Sequence, residues 1–266
     1  MIIKCNNLNI KQIADSGQTF RWYKREGHYV IVANHQAVSI KQLSDGIELD
    51  DEDLIWEHYL DIKRDYHAIM IHYKGKDDFL DAAMAYGSGI RILNQDPFET
   101  IMTFIISANN NIKRITSSVL ALSNTFGTYL KTIDGVDYYD FPTPEQLREV
   151  SVESFRDCGV GYRDKYLYDC VHDVLNNNID LKAIKSLSDS ELRLALMRLK
   201  GVGEKVANCI ILFAYARHEG FPVDTWIKKV LKEQYGIDKD YNIFVESYFK
   251  PYGGIAQQYL FFYGRR

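Results

Sequence analysis

The sequence predicts an α+β chain: an N-terminal antiparallel β-sheet followed by a mainly α-helical body. Three observations predict it. Residues 1 to about 50 break into short runs rich in Val, Ile and aromatics, separated by turn residues. From Asp50 onward helical patterning dominates. Within that body, Leu199-Lys-Gly-Val-Gly-Glu-Lys205 joins two short apolar-faced helices through Gly201 and Gly203, a helix–hairpin–helix spanning about 188–224. The expected division is a sheet domain with a trailing helix over 1–80 and a helical domain over 81–266, whose last helix packs back on the N-terminal region.

The elements follow in order. Phe20–Tyr23, Tyr29–Ala33, Ala37–Gln42 and Gly46–Leu49 read as strands, with turns at Arg25-Glu-Gly-His, Asn34-His-Gln and Ser44-Asp-Gly. Asp96-Pro97-Phe98-Glu99 combines an N-cap, a proline at the first helical position and an acid two residues on. Thr143-Pro144-Glu145-Gln146 repeats that logic, and Gly127 and Gly159 read as helix stops. Ser188 with Glu191 forms a capping box, after which Leu192, Leu196 and Leu199 recur at helical spacing. The next helix turns Val206, Ala207, Ile210, Ile211 and Ala214 inward. Pro222 and Asp224 announce another, with Asp224 at its N-cap.

Composition narrows the class. The 266 residues contain no run apolar and long enough to span a membrane, and the N-terminus does not read as a signal peptide. Four cysteines without Cys-x-x-Cys spacing point to reduced, intracellular thiols and away from zinc or an iron–sulfur cluster. The net charge of −4 counts mildly against nucleic-acid binding. Its distribution counts the other way. Seven acids and no Lys or Arg lie between Asp45 and Glu57, whereas Lys113, Arg114, Arg163, Lys200, Lys228 and Lys229 fall near the hairpin.

The hairpin glycines expose backbone N–H groups at a helix start, where an anion is favoured. Gly201, Gly203 and the Val206 amide are the candidate phosphate contacts. A dinucleotide fingerprint is excluded by Val at 206 and a preceding helix, and a P-loop by the glycine spacing. Lys205 lies in the first turn, where the helix dipole and apolar neighbours both favour the neutral amine. A neutral lysine amine is a nucleophile that forms Schiff bases. Asp224 is one helix away.

Leu-x-Gly-Val-Gly-x-Lys followed by Pro-Val-Asp resembles the helix–hairpin–helix–Gly/Pro–Asp DNA glycosylases. Lysine at 205 points to the members that remove a base and then nick the strand. Three further stretches resemble one branch, the 8-oxoguanine DNA glycosylases. In Ser16-Gly-Gln-Thr-Phe-Arg-Trp22, the resemblance implies that the Gly17 carbonyl accepts from N7–H of the oxidised base. Guanine N7 is an acceptor, so a carbonyl separates the two. In Ser107-Ala-Asn-Asn-Asn-Ile-Lys-Arg114, it implies that Asn109 fills the gap left by the extruded nucleotide and that Arg114 contacts the orphaned cytosine. In Gly159-Val-Gly-Tyr-Arg163, it implies a Tyr162 wedge and an Arg163 that reads the estranged base. Near the C-terminus, Gln257 would read the base edge and Phe261 would stack on it, with Cys209 on the other side. One position departs: the family usually carries a histidine near the phosphates where this chain has Trp226.

The resemblance therefore implies a bifunctional glycosylase/lyase that flips 8-oxoguanine out of duplex DNA and uses Lys205 and Asp224 as catalytic residues. It implies no required cofactor; carbonyls of Met197, Leu199 and Val202 are candidate ligands for a cation at the hairpin. The expected partner is lesion-bearing double-stranded DNA, met by a monomer inside the cell, in the nucleoid-associated cytoplasm if the source is bacterial or archaeal. Two alternatives stay open: a related glycosylase for another oxidised or alkylated base, and a non-catalytic module that grips DNA phosphates.

Overall fold

A computed structural model describes residues 1–266. Five strands, β1 (Ile2–Lys4), β2 (Trp22–Lys24), β3 (Tyr29–Ala33), β4 (Gln36–Leu43) and β5 (Gly46–Leu49), form one antiparallel sheet in the order β1-β5-β4-β3-β2. The short edge strand β1 was not anticipated; it pairs Ile3 with Ile47. Helix α1 (Ile10–Asp15) precedes β2. A two-residue turn with positive φ at Asn34 and His35 sets the β3–β4 register. All five β3 residues are buried because both faces are covered. Ile31 and Ala33 join a core with Trp22, Val38, Ile40 and Trp56, while Val30 and Val32 pack with Ala37 and Tyr138. That explains the unbroken apolar run Tyr-Val-Ile-Val-Ala.

Tyr138 belongs to a feature the helical reading missed. Strands β6 (Tyr129–Ile133) and β7 (Val136–Tyr139) make a second, two-stranded sheet. Asp134-Gly135 turns it with φ of 51° and 74°, as a type I′ hairpin requires. The expected helix start at Thr143 also differs. Thr143 and Gln146 bond reciprocally, Gln146 Oε1 accepting from Thr143 N at 2.8 Å, yet only turns follow over residues 144–149. Ser151 already caps the next helix, so there is no room for a longer one.

The helical body comprises α2 (Ile55–Tyr59), α3 (Tyr66–Tyr73), α4 (Asp78–Tyr86), α5 (Pro97–Ser107), α6 (Ile112–Phe126), α7 (Val152–Phe155), α8 (Asp164–Leu175), α9 (Asp189–Leu196), α10 (Glu204–Ala214), α11 (Thr225–Tyr235), α12 (Tyr241–Tyr248) and α13 (Gly253–Gly264). Its centre is α5 against α10. Ile101, Met102, Ile105 and Ile106 of the first and Ala207, Ile210 and Leu212 of the second are wholly inaccessible. A helix apolar on all sides belongs in such a place.

Sheet and helical body are joined through Arg21, which is 1% exposed. Its guanidinium donates to both Glu99 oxygens at 2.8 and 3.2 Å, to Asp140 Oδ1 at 3.2 Å and to the Tyr139 carbonyl at 3.0 Å. Asp140 also meets His35 at the β3–β4 turn.

Candidate active site

The hairpin is built as its residues dictate. Ser188 and Glu191 complete the capping box of α9. Gly201 has φ of 85°, and a Cβ there would lie 2.8 Å from the Tyr166 ring, so conformation and space both require glycine. Gly203 is the N-cap of α10, exposed and with no side chain to cap the helix. The first α10 amide bonded to a hairpin carbonyl is Ala207, to Gly203. The amides of Glu204, Lys205 and Val206 are thus the bare donors of a helix start.

Lys205 stands half-buried in that first turn, with Nζ 5.6 Å from the centre of the Phe104 ring. Phe104 is fixed by stacking on Phe213 at 5.4 Å and by an edge contact to Phe20 at 6.1 Å. One turn on from Lys205 lies Cys209, 4% exposed. Burial pushes its thiol pKa up; the Lys205 ammonium opposes that shift and the Asp224 carboxylate adds to it. Asp224 caps α11 through Oδ1, which accepts from Ile227 N at 2.8 Å. A cavity of about 580 Å³ opens beside Lys205, bordered by Asn208, Lys228 and Tyr241.

The Gly17 turn is held from behind. Gln18 is fully buried, donates to Ser16 Oγ and the Arg91 carbonyl at 2.9 Å each, and accepts from Leu93 N at 2.8 Å. These bonds fix Gly17 at φ 77°, beside α13. A Cβ on Gly17 would lie 3.4 Å from Phe261 Cε1, 3.4 Å from Ile112 and 3.4 Å from Arg265 Nη1. Gly17 and Phe261 thus share one small space despite their separation in sequence. Gln257, one turn earlier on α13, is buried and accepts from Gln258 Nε2 at 2.9 Å.

The third group gathers around Asn109. Its φ is 49°, and Asn111 caps α6 by accepting from Arg114 N at 3.0 Å. Arg114 is exposed on that first turn. Tyr162 projects 58% exposed from a loop with positive φ at Gly159 and Gly161. Arg163 is placed differently from a free base-reading side chain. It is 5% exposed and donates to the carbonyls of Ala108, Asn109 and Val160. Arg163 ties the Asn109 turn to the Tyr162 loop.

Met197 closes α9 at its C-cap, and the Leu199 carbonyl accepts from Val202 N at 3.1 Å. The chain contains no group of three or more His, Cys, Asp or Glu side chains placed to hold a metal, and no helix long and apolar enough to cross a membrane. Trp226 is 46% exposed on the first turn of α11, with Lys229 Nζ 6.0 Å from its ring centre. Sequence reasoning missed Gln18 as an anchor, Phe104 beneath the lysine and Arg265 beside Gly17. Only Gln18 carried a signal, as part of the Gly-Gln motif.

Residues 1–101 match the 8-oxoguanine DNA glycosylase N-terminal domain, and residues 102–250 match the HhH-GPD superfamily of base excision DNA repair proteins. The solved structure of the Clostridium acetobutylicum 8-oxoguanine glycosylase/lyase, in complex with double-stranded DNA containing cytosine opposite 8-oxoG, has a TM-score of 0.93 to this chain. It is 37% identical, with 100% of this chain and 97% of that one covered. The N-glycosylase/DNA lyase of Saccharomyces cerevisiae is 38% identical over 165 residues, 58% of this chain and 44% of the relative. That of Arabidopsis thaliana is 33% identical over 230 residues, 81% of this chain and 63% of the relative. The chain thus matches less than two thirds of the length of these two relatives. With matches at both its sheet and its hairpin, the chain belongs to the 8-oxoguanine DNA glycosylases of the helix–hairpin–helix–Gly/Pro–Asp superfamily of base excision repair proteins.

Proposed function

We propose that the protein excises 8-oxoguanine from duplex DNA and then nicks the strand at the resulting abasic site. The observation that carries this reading is Lys205, half-buried over Phe104 in the bare first turn of α10 and bordering a cavity of about 580 Å³. The helix start at Gly203, with the amides of residues 204–206, receives a backbone phosphate, and Gly201 allows the turn. The target nucleotide leaves the stack, at a cost of a few kcal/mol. Asn109 and Tyr162 fill the space it vacates, and Arg114 contacts the orphaned cytosine. Arg163 joins in that reading only by exchanging its bonds to the Ala108 and Asn109 carbonyls.

The base lies on Phe261 with Cys209 at its other face, Gln257 at its Watson–Crick edge and the Gly17 carbonyl at N7–H. The Lys205 amine attacks C1′ as the glycosidic bond breaks and its electron pair leaves with the base. Asp224 stabilises the positive charge that develops on the sugar. Ring opening gives a Schiff base between Lys205 and C1′. Loss of the C2′ proton then expels the 3′ phosphate by cleavage of the C3′–O bond, a β-elimination. The sequence of steps needs no cofactor; a cation on the carbonyls of Met197, Leu199 and Val202 would act on the hairpin and not in the chemistry. The protein acts as a monomer within the cell.

The test separates 8-oxoguanine from other damaged bases. Duplexes carrying 8-oxoguanine, 8-oxo-7-deazaguanine or an alkylated purine are compared for base release and for strand scission without alkali. The deaza lesion lacks the N7–H donor but keeps the Watson–Crick edge. A buried acceptor left unpaired costs about 1–3 kcal/mol, so its release should be roughly one to two orders of magnitude weaker. Equal handling of the two oxidised bases, or preference for the alkylated purine, contradicts the assignment.

A further inference from the structure

A guanidinium lies over the space between Gly17 and Phe261. Arg265 directly follows α13, four residues beyond Phe261 and so on the same face. Its guanidinium carbon lies 4.9 Å from the centre of the Phe261 ring, and Nη1 lies 3.4 Å from where a Gly17 Cβ would be. A planar guanidinium covers an aromatic face as a base does. Arg265 is exposed overall, but partial shielding of its guanidinium pushes its pKa down, and the carboxylates of Asp224 and Asp15 oppose that shift. Neither carboxylate locks it in place: Asp15 pairs with Lys11 at 2.7 Å, and Asp224 caps α11.

We propose that Arg265 is a specificity-determining residue that occupies the base-stacking face of Phe261, so that an extruded base enters only by displacing its guanidinium. The inference rests on the placement of Gly17 and Phe261 in the base pocket proposed above. Displacement costs the same for every base. The oxidised base recovers that cost through its N7–H bond to the Gly17 carbonyl. Guanine presents an N7 lone pair to that carbonyl and recovers nothing. An equal entry cost therefore holds back guanine while the lesion still fills the pocket. Removing the guanidinium raises occupancy most for the base whose occupancy is low.

The experiment reads base extrusion and not chemistry. Wild type, Arg265→Ala and Arg265→Lys are titrated with duplexes in which 2-aminopurine neighbours either guanine or 8-oxoguanine, and its fluorescence reports unstacking of the neighbour. A stacked guanidinium is worth enough to predict a roughly two- to fivefold rise in guanine extrusion for Arg265→Ala. A smaller rise is expected for the lesion, with Arg265→Lys between, since it keeps the charge but not the plane. Unchanged guanine extrusion in Arg265→Ala overturns the proposal. So does an equal loss of affinity for both duplexes with a salt slope shallower by about one, which marks a phosphate contact. Borohydride trapping of the wild type on the 8-oxoguanine duplex is run in parallel. Failure to trap counts against the proposed chemistry, whereas trapping with unchanged guanine extrusion counts against Arg265 alone.

Discussion

Two charged clusters in this molecule are put to opposite uses. Around Arg21, a buried cation meets Glu99, Asp140 and a main-chain carbonyl, and the guanidinium is matched on every side. Around Lys205, Nζ rests over Phe104, and Asp224 commits Oδ1 to a helix cap. The first arrangement welds the sheet to the helical body. The second keeps charge available at the mouth of a cavity, where substrate can use it. Matched charges hold a fold, and charges left in reserve are the ones that do chemistry.

The largest expected effect breaks the matched cluster. Arg21→Leu leaves Glu99 buried without its cation and Asp140 with only the exposed His35, at a cost of about 3–5 kcal/mol. Thermal unfolding should show a large loss of stability, while the protein that remains folded should retain base release. A variant with near-normal stability removes the distinction between the clusters.

Asp224→Asn probes the other side. Asparagine caps a helix about as well as aspartate, so unfolding should shift little. Loss of the charge opposite the developing cation should slow single-turnover excision by roughly 10²–10³-fold. A normal rate would make Asp224 structural only.

The two arginines of the wedge region repeat the contrast on a smaller scale. Arg114 is exposed, whereas Arg163 is committed to three carbonyls. Arg114→Ala should cost about 1–3 kcal/mol of the preference for cytosine over adenine opposite the lesion. Arg163→Ala should lose thermal stability as well, because it unties the Asn109 turn. Opposite-base panels and melting curves together check both outcomes; equal melting temperatures for the two variants contradict the structural role of Arg163.

The smallest effect lies at the exposed edge of the matched cluster. The hydrogen bond to Asp140 raises the His35 pKa above its ordinary value. A raised folded value means stability that is present below the unfolded pKa and lost as pH rises through the folded one. His35 is exposed, so its contribution should stay below about 1 kcal/mol. The melting-temperature gap between wild type and His35→Gln should be present at pH 5.5 and gone at pH 9; a gap that grows with pH reverses the sign.

What the sequence disclosed follows the range of each interaction. The hairpin was legible because its signals are local: a capping box, two glycines and a lysine within eighteen residues of one another. The strands from Tyr29 to Leu49 were legible for the same reason. Hairpin β6–β7 was not, although Asp134-Gly135 is a strong turn signal, because its strands are largely exposed and carry no clean alternation. The burial of Arg163 was invisible, since an arginine beside an exposed tyrosine reads as solvated. The meeting of Gly17, Phe261 and Arg265 joins the two ends of the chain, and no local pattern encodes it.

The central claim is that the Lys205 amine, held in reserve at the hairpin, becomes bonded to the sugar. Borohydride reduction of wild type and Lys205→Gln on a duplex carrying 8-oxoguanine opposite cytosine tests it most directly. The wild type should yield a covalent protein–DNA adduct, and Lys205→Gln should yield none while still binding the lesion duplex. Trapping of Lys205→Gln at the wild-type level would contradict the account.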